Sequence, residues 1–211
     1  MFGFLRRLFG SSSPDPLIGL EPTRLRLIVG LGNPGPEYAD TRHNVGFRCV
    51  DQLAQRCAAQ WLNDSRSHSR LAIAHAGDLT LVLAKPQTYM NRSGDAVPTL
   101  VDKLGIALDQ VLIVYDDMDL PFGALRLRER GSPGTHNGMR SVVAALQSDE
   151  VARLRIGISQ AAPGAARDHV LSEFSTDEEA EVEQLVTRAA DASLAWATES
   201  AVAAMNRYNR S

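Results

Sequence analysis

Apolar positions along this chain recur with two periods, and the alternation between them lays out a fold. Short apolar runs at Leu25–Val29, Val111–Tyr115 and Leu154–Ile158 read as buried strands. Asn44–Trp61 reads as a helix, with Val45, Val50, Leu53, Ala54 and Cys57 on one face. Arg70–Ala76 and Leu79–Ala84 flank Gly77-Asp78, a hairpin signal. Lys85–Asn91 reads as a loop. A helix follows to Leu104, stopped by Gly105, and Pro98 has to sit in its first turn. In Leu125–Arg130 leucines alternate with arginines, so Leu125 and Leu127 face one way and Arg126 and Arg128 the other. Gly131–Thr135 is a loop and Asn137–Gln147 a short helix. Ser175 and Glu178 form a capping box that opens a long helix over Asp177–Met205. Strands and helices alternate, with one hairpin and no repeat or domain-scale linker. The expected class is α/β, a three-layer domain with a mixed, mostly parallel central sheet flanked by helices.

Composition narrows this picture. A length of 211 residues suits one domain, expected over 23–211. A domain of that size buries on the order of 70% of the unfolded surface. Residues 1–22 read as an N-terminal extension expected to be disordered. Phe2, Phe4, Leu5, Leu8 and Phe9 surround Arg6 and Arg7, and SSSPDP then breaks the pattern. The segment lacks the ordered regions of a signal peptide, and so short a helix alone in water is marginal. A net charge of −3 excludes a generic nucleic-acid coat. The charge is uneven, however. Between Leu120 and Val170 seven arginines (126, 128, 130, 140, 153, 155 and 167) face four acids, and arginine forks suit phosphate oxygens. The acids from Asp177 onward fall in the first turns of a helix and complement its dipole. Cys49 and Cys57 lie about 12 Å apart along one predicted helix, too far for a disulfide, as in a reducing cytoplasm. No apolar run is long enough to cross a membrane as a helix.

Gly30, Gly32 and Gly35 spell the dinucleotide fingerprint G-x-G-x-x-G. The context argues against it. Pro34 and Pro36 bracket Gly35, no helix opens at the glycines, and Asp51, the nearest later acid, lies inside a helical pattern. The segment delivers a histidine instead, His43, between Arg42 and Asn44. Three further polar clusters sit at predicted strand or loop ends: Lys85 to Asn91, Asp116 to Pro121, and Gly134 to Gly138. Strand ends on one edge of a sheet converge. Together the clusters supply two histidines (His43 and His136), asparagines at 33, 44, 91 and 137, and aspartates at 116, 117 and 119. They hold no nucleophile-elbow serine, no cysteine nucleophile and no paired-histidine metal motif. Such a set supports attack of water on an ester carbonyl. A histidine takes the proton, an aspartate on its other nitrogen holds the tautomer, and an amide N–H stabilises the oxyanion.

The segments GLGNPGPEYADTRHNVG, KPQTYMNRSG, YDDMDLPFG, GTHNGMRS and RLRIGIS closely resemble the bacterial peptidyl-tRNA hydrolase family, over Leu25 to about Phe174. The resemblance implies cleavage of the ester between a peptide and its tRNA by a cytoplasmic monomer that uses no metal or other cofactor. It implies that His43 accepts the proton, that Asp116 holds it in the basic form, and that Asn33 distinguishes blocked from free aminoacyl ends. Tyr38, Tyr89, Asn91 and Asn137 match positions that contact the tRNA end, and His136 lies beside that surface. Arg128 and Arg155 align with residues that grip a terminal phosphate. Ser132-Pro133-Gly134-Thr135 replaces a more glycine-rich run, and Ser159-Gln160 stands where the family has glycine and then a basic or small residue. Asp117 and Asp119 read as a turn and a cap. Two rival readings remain: a phosphatase holding Mg²⁺ on Asp117 and Asp119, and an RNA-binding module without catalysis.

Overall fold

A computed structural model describes residues 17–209. Its centre is a seven-stranded sheet in the order β2-β3-β4-β1-β5-β7-β6. The strands are β1 (Leu25–Gly30), β2 (Leu62–Asp64), β3 (Ser69–Ala76), β4 (Leu79–Pro86), β5 (Val111–Asp117), β6 (Leu125–Arg128) and β7 (Ala152–Gly157). β4, β1, β5 and β7 run parallel, and β2, β3 and β6 are antiparallel to their neighbours. The helices are α1 (Val45–Arg56), α2 (Val97–Leu104), α3 (Asn137–Leu146), α4 (Ala166–Leu171), α5 (Thr176–Thr198) and α6 (Ala201–Tyr208).

The parallel strands are buried on both faces, as crossover helices require. Ile28, Leu83, Leu112 and Val114 pack with α1 and α5, whereas Leu27, Val29, Ile113 and Tyr115 pack with α2 and α3. The three expected layers are therefore present. Gly30 and Gly46 are the closest point between strand and helix. A Cβ on Gly30 would overlap the Gly46 carbonyl oxygen, and one on Gly46 would overlap that of Val114. Gly30, the first glycine of the apparent dinucleotide motif, is thus spent on seating α1 against β1.

Several element boundaries differ from the sequence expectation. α1 stops at Arg56 rather than Trp61, because Ala58 turns left-handed (φ +50°) without a glycine to announce it. The short edge strand β2 follows, mostly exposed and without apolar alternation. Lys85 and Pro86 lie in β4, not in a loop, since β3 pairs with them through Arg70 and Ser69. The single helix expected over Asp177–Met205 is two helices. The chain breaks at Glu199, and Ser200 caps α6 by accepting from the Ala203 N–H. α4 carries no clear apolar period to announce it in the sequence. Most of the extension lies outside the described residues. Its end is anchored, with Leu17 buried in the α2–α3 side of the core.

Candidate active site

The C-terminal ends of β1, β4 and β5, together with the loop before α3, open onto one cavity of about 940 Å³. This is where parallel sheets place ligands. Asn33, Tyr38, His43, Tyr89, Asn91, Asp116, His136 and Asn137 all line it, so the side chains singled out in the sequence converge.

His43 sits on a 3₁₀ turn, Arg42–Asn44, that leads into α1. The turn is braced by a reciprocal amide pair. The Asn33 N–H donates to Asn44 Oδ1 (2.8 Å), and Asn44 Nδ2 donates to the Asn33 carbonyl (3.0 Å). Asn33 Oδ1 accepts from the Met90 N–H (2.8 Å), which joins the β1 loop to the segment after β4. With Oδ1 committed, Nδ2 is the donor that Asn33 has left for a ligand.

Asp116 is the penultimate residue of β5 and is 1% exposed. Burial alone would raise its carboxyl. The imidazoles of His43 and His136 outweigh burial and hold it well below the usual carboxylate range. It is therefore ionised and only accepts. His43 Nδ1 donates to Asp116 Oδ1 at 2.8 Å. His43 Nε2 has no partner among the described residues.

His136, expected beside the tRNA-contacting surface, lines the cavity and also reaches the buried carboxylate. Its Nε2 lies 3.0 Å from the same Asp116 Oδ1. Its Nδ1 caps α3 by accepting from the Met139 N–H at 3.0 Å. An accepting Nδ1 leaves the ring proton on Nε2, so His136 donates to Asp116. Two imidazoles thus share one carboxylate oxygen, with ring centroids 5.1 Å apart. Below them Tyr115 packs on His136, and burial pushes its phenol up to about 12.

His43, Asp116 and His136 bring three potential metal ligands within 4.8 Å of one another. The hydrogen bonds do not fit a metal. Ligation through His136 Nε2 would move the proton to Nδ1, where it would meet the Met139 N–H. The Asp117–Asp119 pair fits no better. Asp117 Oδ1 accepts from the Asp119 N–H (2.8 Å) and Oδ2 from Arg155 Nε. Asp117 is the turn residue the sequence suggested, and Arg155 is held by it.

The rim is aromatic and basic. Tyr38 and Tyr89 meet edge to face at 6.4 Å, and Tyr89 is 58% exposed. Arg128, Arg130, Arg153, Arg155 and Arg167 also line the cavity. Arg153 is buried with no carboxylate on it. Its guanidinium donates to the carbonyls of Gly131, Ser132, Asp149 and Val151 and so holds the loop before His136. Elsewhere burial pushes the Cys49 thiol up to about 12, which removes it as a nucleophile.

Fold and site define an α/β hydrolytic domain built around a histidine–carboxylate pair with convergent amides. Comparison with known proteins is specific. The peptidyl-tRNA hydrolase family profile matches residues 27–211. A peptidyl-tRNA hydrolase of Chloroflexus aurantiacus is 53% identical over 186 residues, covering 87% of this chain and 98% of that protein. One from Listeria monocytogenes is 39% identical over 186 residues, covering 88% of this chain and all of that protein. The crystal structure of peptidyl-tRNA hydrolase from Acinetobacter baumannii superposes with a TM-score of 0.84 at 35% identity, over 90% of this chain and 97% of that one. The chain belongs to the peptidyl-tRNA hydrolase family.

Proposed function

We propose that the chain hydrolyses the ester between peptide and tRNA with water activated by His43. Family membership supplies the overall reaction, peptidyl-tRNA in and free tRNA out. The observation that carries the mechanism is the 2.8 Å bond from His43 Nδ1 to the buried Asp116 carboxylate. That bond keeps the proton on Nδ1 and the lone pair on Nε2, which faces the cavity. Nε2 takes a proton from water as the oxygen attacks the ester carbonyl carbon. Asp116 stabilises the imidazolium, and an Asn33 Nδ2–H stabilises the oxyanion. As the tetrahedral intermediate collapses, the imidazolium returns its proton to the departing ribose 3′-oxygen. The products are a free tRNA hydroxyl and a peptide carboxylic acid, which releases water's second proton to solvent and ionises.

General-base assistance contributes about 10²–10⁴ in rate, and one oxyanion donor about 3 kcal/mol. That suits an activated ester and falls short for an amide. Tyr38 and Tyr89 would stack on bases of the tRNA end. Asn91 and Asn137 would bond its ribose and the peptide backbone, and the cavity-lining arginines would meet its phosphates. No step uses a metal.

The test is hydrolysis of N-acetyl-aminoacyl-tRNA beside free aminoacyl-tRNA, with and without EDTA. Rapid cleavage of the blocked ester alone, unaffected by chelator, is expected. No cleavage of either ester ends this reading, and binding of tRNA without cleavage would favour a binding module.

A further inference from the structure

Arg42 precedes the proposed base directly, yet its side chain points away from the cavity. It forms a two-pronged ion pair with Glu178 on the first turn of α5, Nη1 to Oε1 at 3.1 Å and Nη2 to Oε2 at 2.6 Å. The guanidinium lies 4.6 Å over the Phe174 ring, and Nε approaches Ser172 Oγ at 3.4 Å. The backbone joins in. The Arg42 N–H donates to the Ser172 carbonyl (2.9 Å), and Thr41 bridges Glu173. Glu178 also accepts from the Ser175 N–H at 2.8 Å. The Arg42 hydrogen bonds hold its carboxyl down at about 2, so the pair stays ionised at any working pH.

Residues 172–174 follow α4 without a break, and Ala166, Arg167, Val170 and Leu171 form one wall of the cavity. α4 itself is a short helix with no buried residue. It is anchored by Val170, which is partly buried against the core, by the His169 Nε2 bonds to the Ile158 and Ser159 carbonyls, and by the segment gripped by Arg42. The rest of the His43 turn is fixed independently, by Asn33, Asn44 and Asp116.

We infer that the Arg42–Glu178 pair is a positioning clamp that registers the α4 wall of the cavity against the His43 turn. Substrate resting on α4 is thereby held at a set distance from the base. The inference rests on His43 being that base. Misplacement by about 1 Å costs roughly 10²-fold in rate without weakening binding, so the clamp acts on kcat rather than KM.

Hydrogen exchange and steady-state hydrolysis of N-acetyl-aminoacyl-tRNA test it together in Glu178→Gln, Arg42→Gln and the double variant. Gln keeps the capping box at position 178. Amides of residues 166–174 are expected to exchange about tenfold faster, with the central strands unchanged. kcat is expected to fall about tenfold, with KM within about threefold and the pH profile of kcat unmoved. The double variant should lose no more than either single one, because the pair acts as a unit. Arg42→Lys keeps the charge without the fork, so its kcat should fall between. Unchanged exchange at 166–174, additive losses, or a shifted pH profile would overturn the clamp. If wild-type protein leaves the blocked ester intact, the role of His43 fails instead. The exchange measurement needs no substrate and keeps the two failures apart.

Discussion

The two histidines stand on turns of opposite character. The turn before α1, which carries His43, is fixed from every side. Gly30 and Gly46 seat the following helix with no room for a Cβ, the Asn33–Asn44 amide pair braces the loop, and Arg42 ties it to α5. The loop before α3, which carries His136, is open. Ser132, Gly134 and Thr135 are exposed, and nothing lies within 4 Å of where a Cβ on Gly134 would stand. It is held mainly from beneath, by Arg153 on its carbonyls. The proposed role of His43 as base calls for the first kind of turn, and nothing in the proposed role of the loop before α3 calls for the same rigidity. Asp116 joins the two, offering one oxygen to both rings.

The contrast can be broken or sharpened experimentally. The largest effect belongs to His43→Ala, which should lower kcat by about 10³-fold or more while tRNA binding, measured by filter retention, persists. Asp116→Asn should cost about 10²-fold in kcat or more, because the amide can present its N–H to either ring and favour the wrong tautomer. Unchanged kcat would transfer the orienting role away from Asp116. For stability, Gly46→Ala should cost about 3 kcal/mol or more in urea unfolding, since backbone must shift to admit the methyl. Gly134→Ala should cost only about 1 kcal/mol, the penalty of φ +59° for an alanine. Similar losses at the two sites would refute the rigid-versus-open distinction. The smallest effect concerns pH. Glu178 titrates at about 2 in the fold against 4.5 ordinarily, so its pair contributes stability above about pH 4.5 and loses it as pH falls toward 2. Glu178→Gln should flatten the acid limb of thermal stability in that window.

Much of this was legible from the chain because it rests on local rules. The buried strands show as apolar runs, the Gly77-Asp78 turn joins β3 to β4, Gly105 ends α2 at φ +62°, and the Ser175 box opens α5. The site side chains were legible as polar clusters at strand ends. What stayed hidden had no local signature. β2 exists only because β3 offers it an edge. α4 has no fully buried residue of its own, and the break at Glu199 lacks glycine and proline. Ser159 occupies a left-handed backbone (φ +64°) at the place where glycine was expected, with its carbonyl held by His169.

The sequence by itself determined most of the elements, the parallel core and the residue types at the cavity, since period, turn chemistry and strand-end position are properties of short segments. Only the tertiary structure decided which groups touch. It gave Asp116 to two histidines at once, so that His136 shares the carboxylate oxygen of His43. It spent Asp117 on Arg155, and it joined Arg42 to Glu178 across 136 positions. Those pairings are set by how strand ends and loops pack along one edge of an open sheet. Hydrogen-bond partners at such separations leave no periodic trace in the chain that makes them.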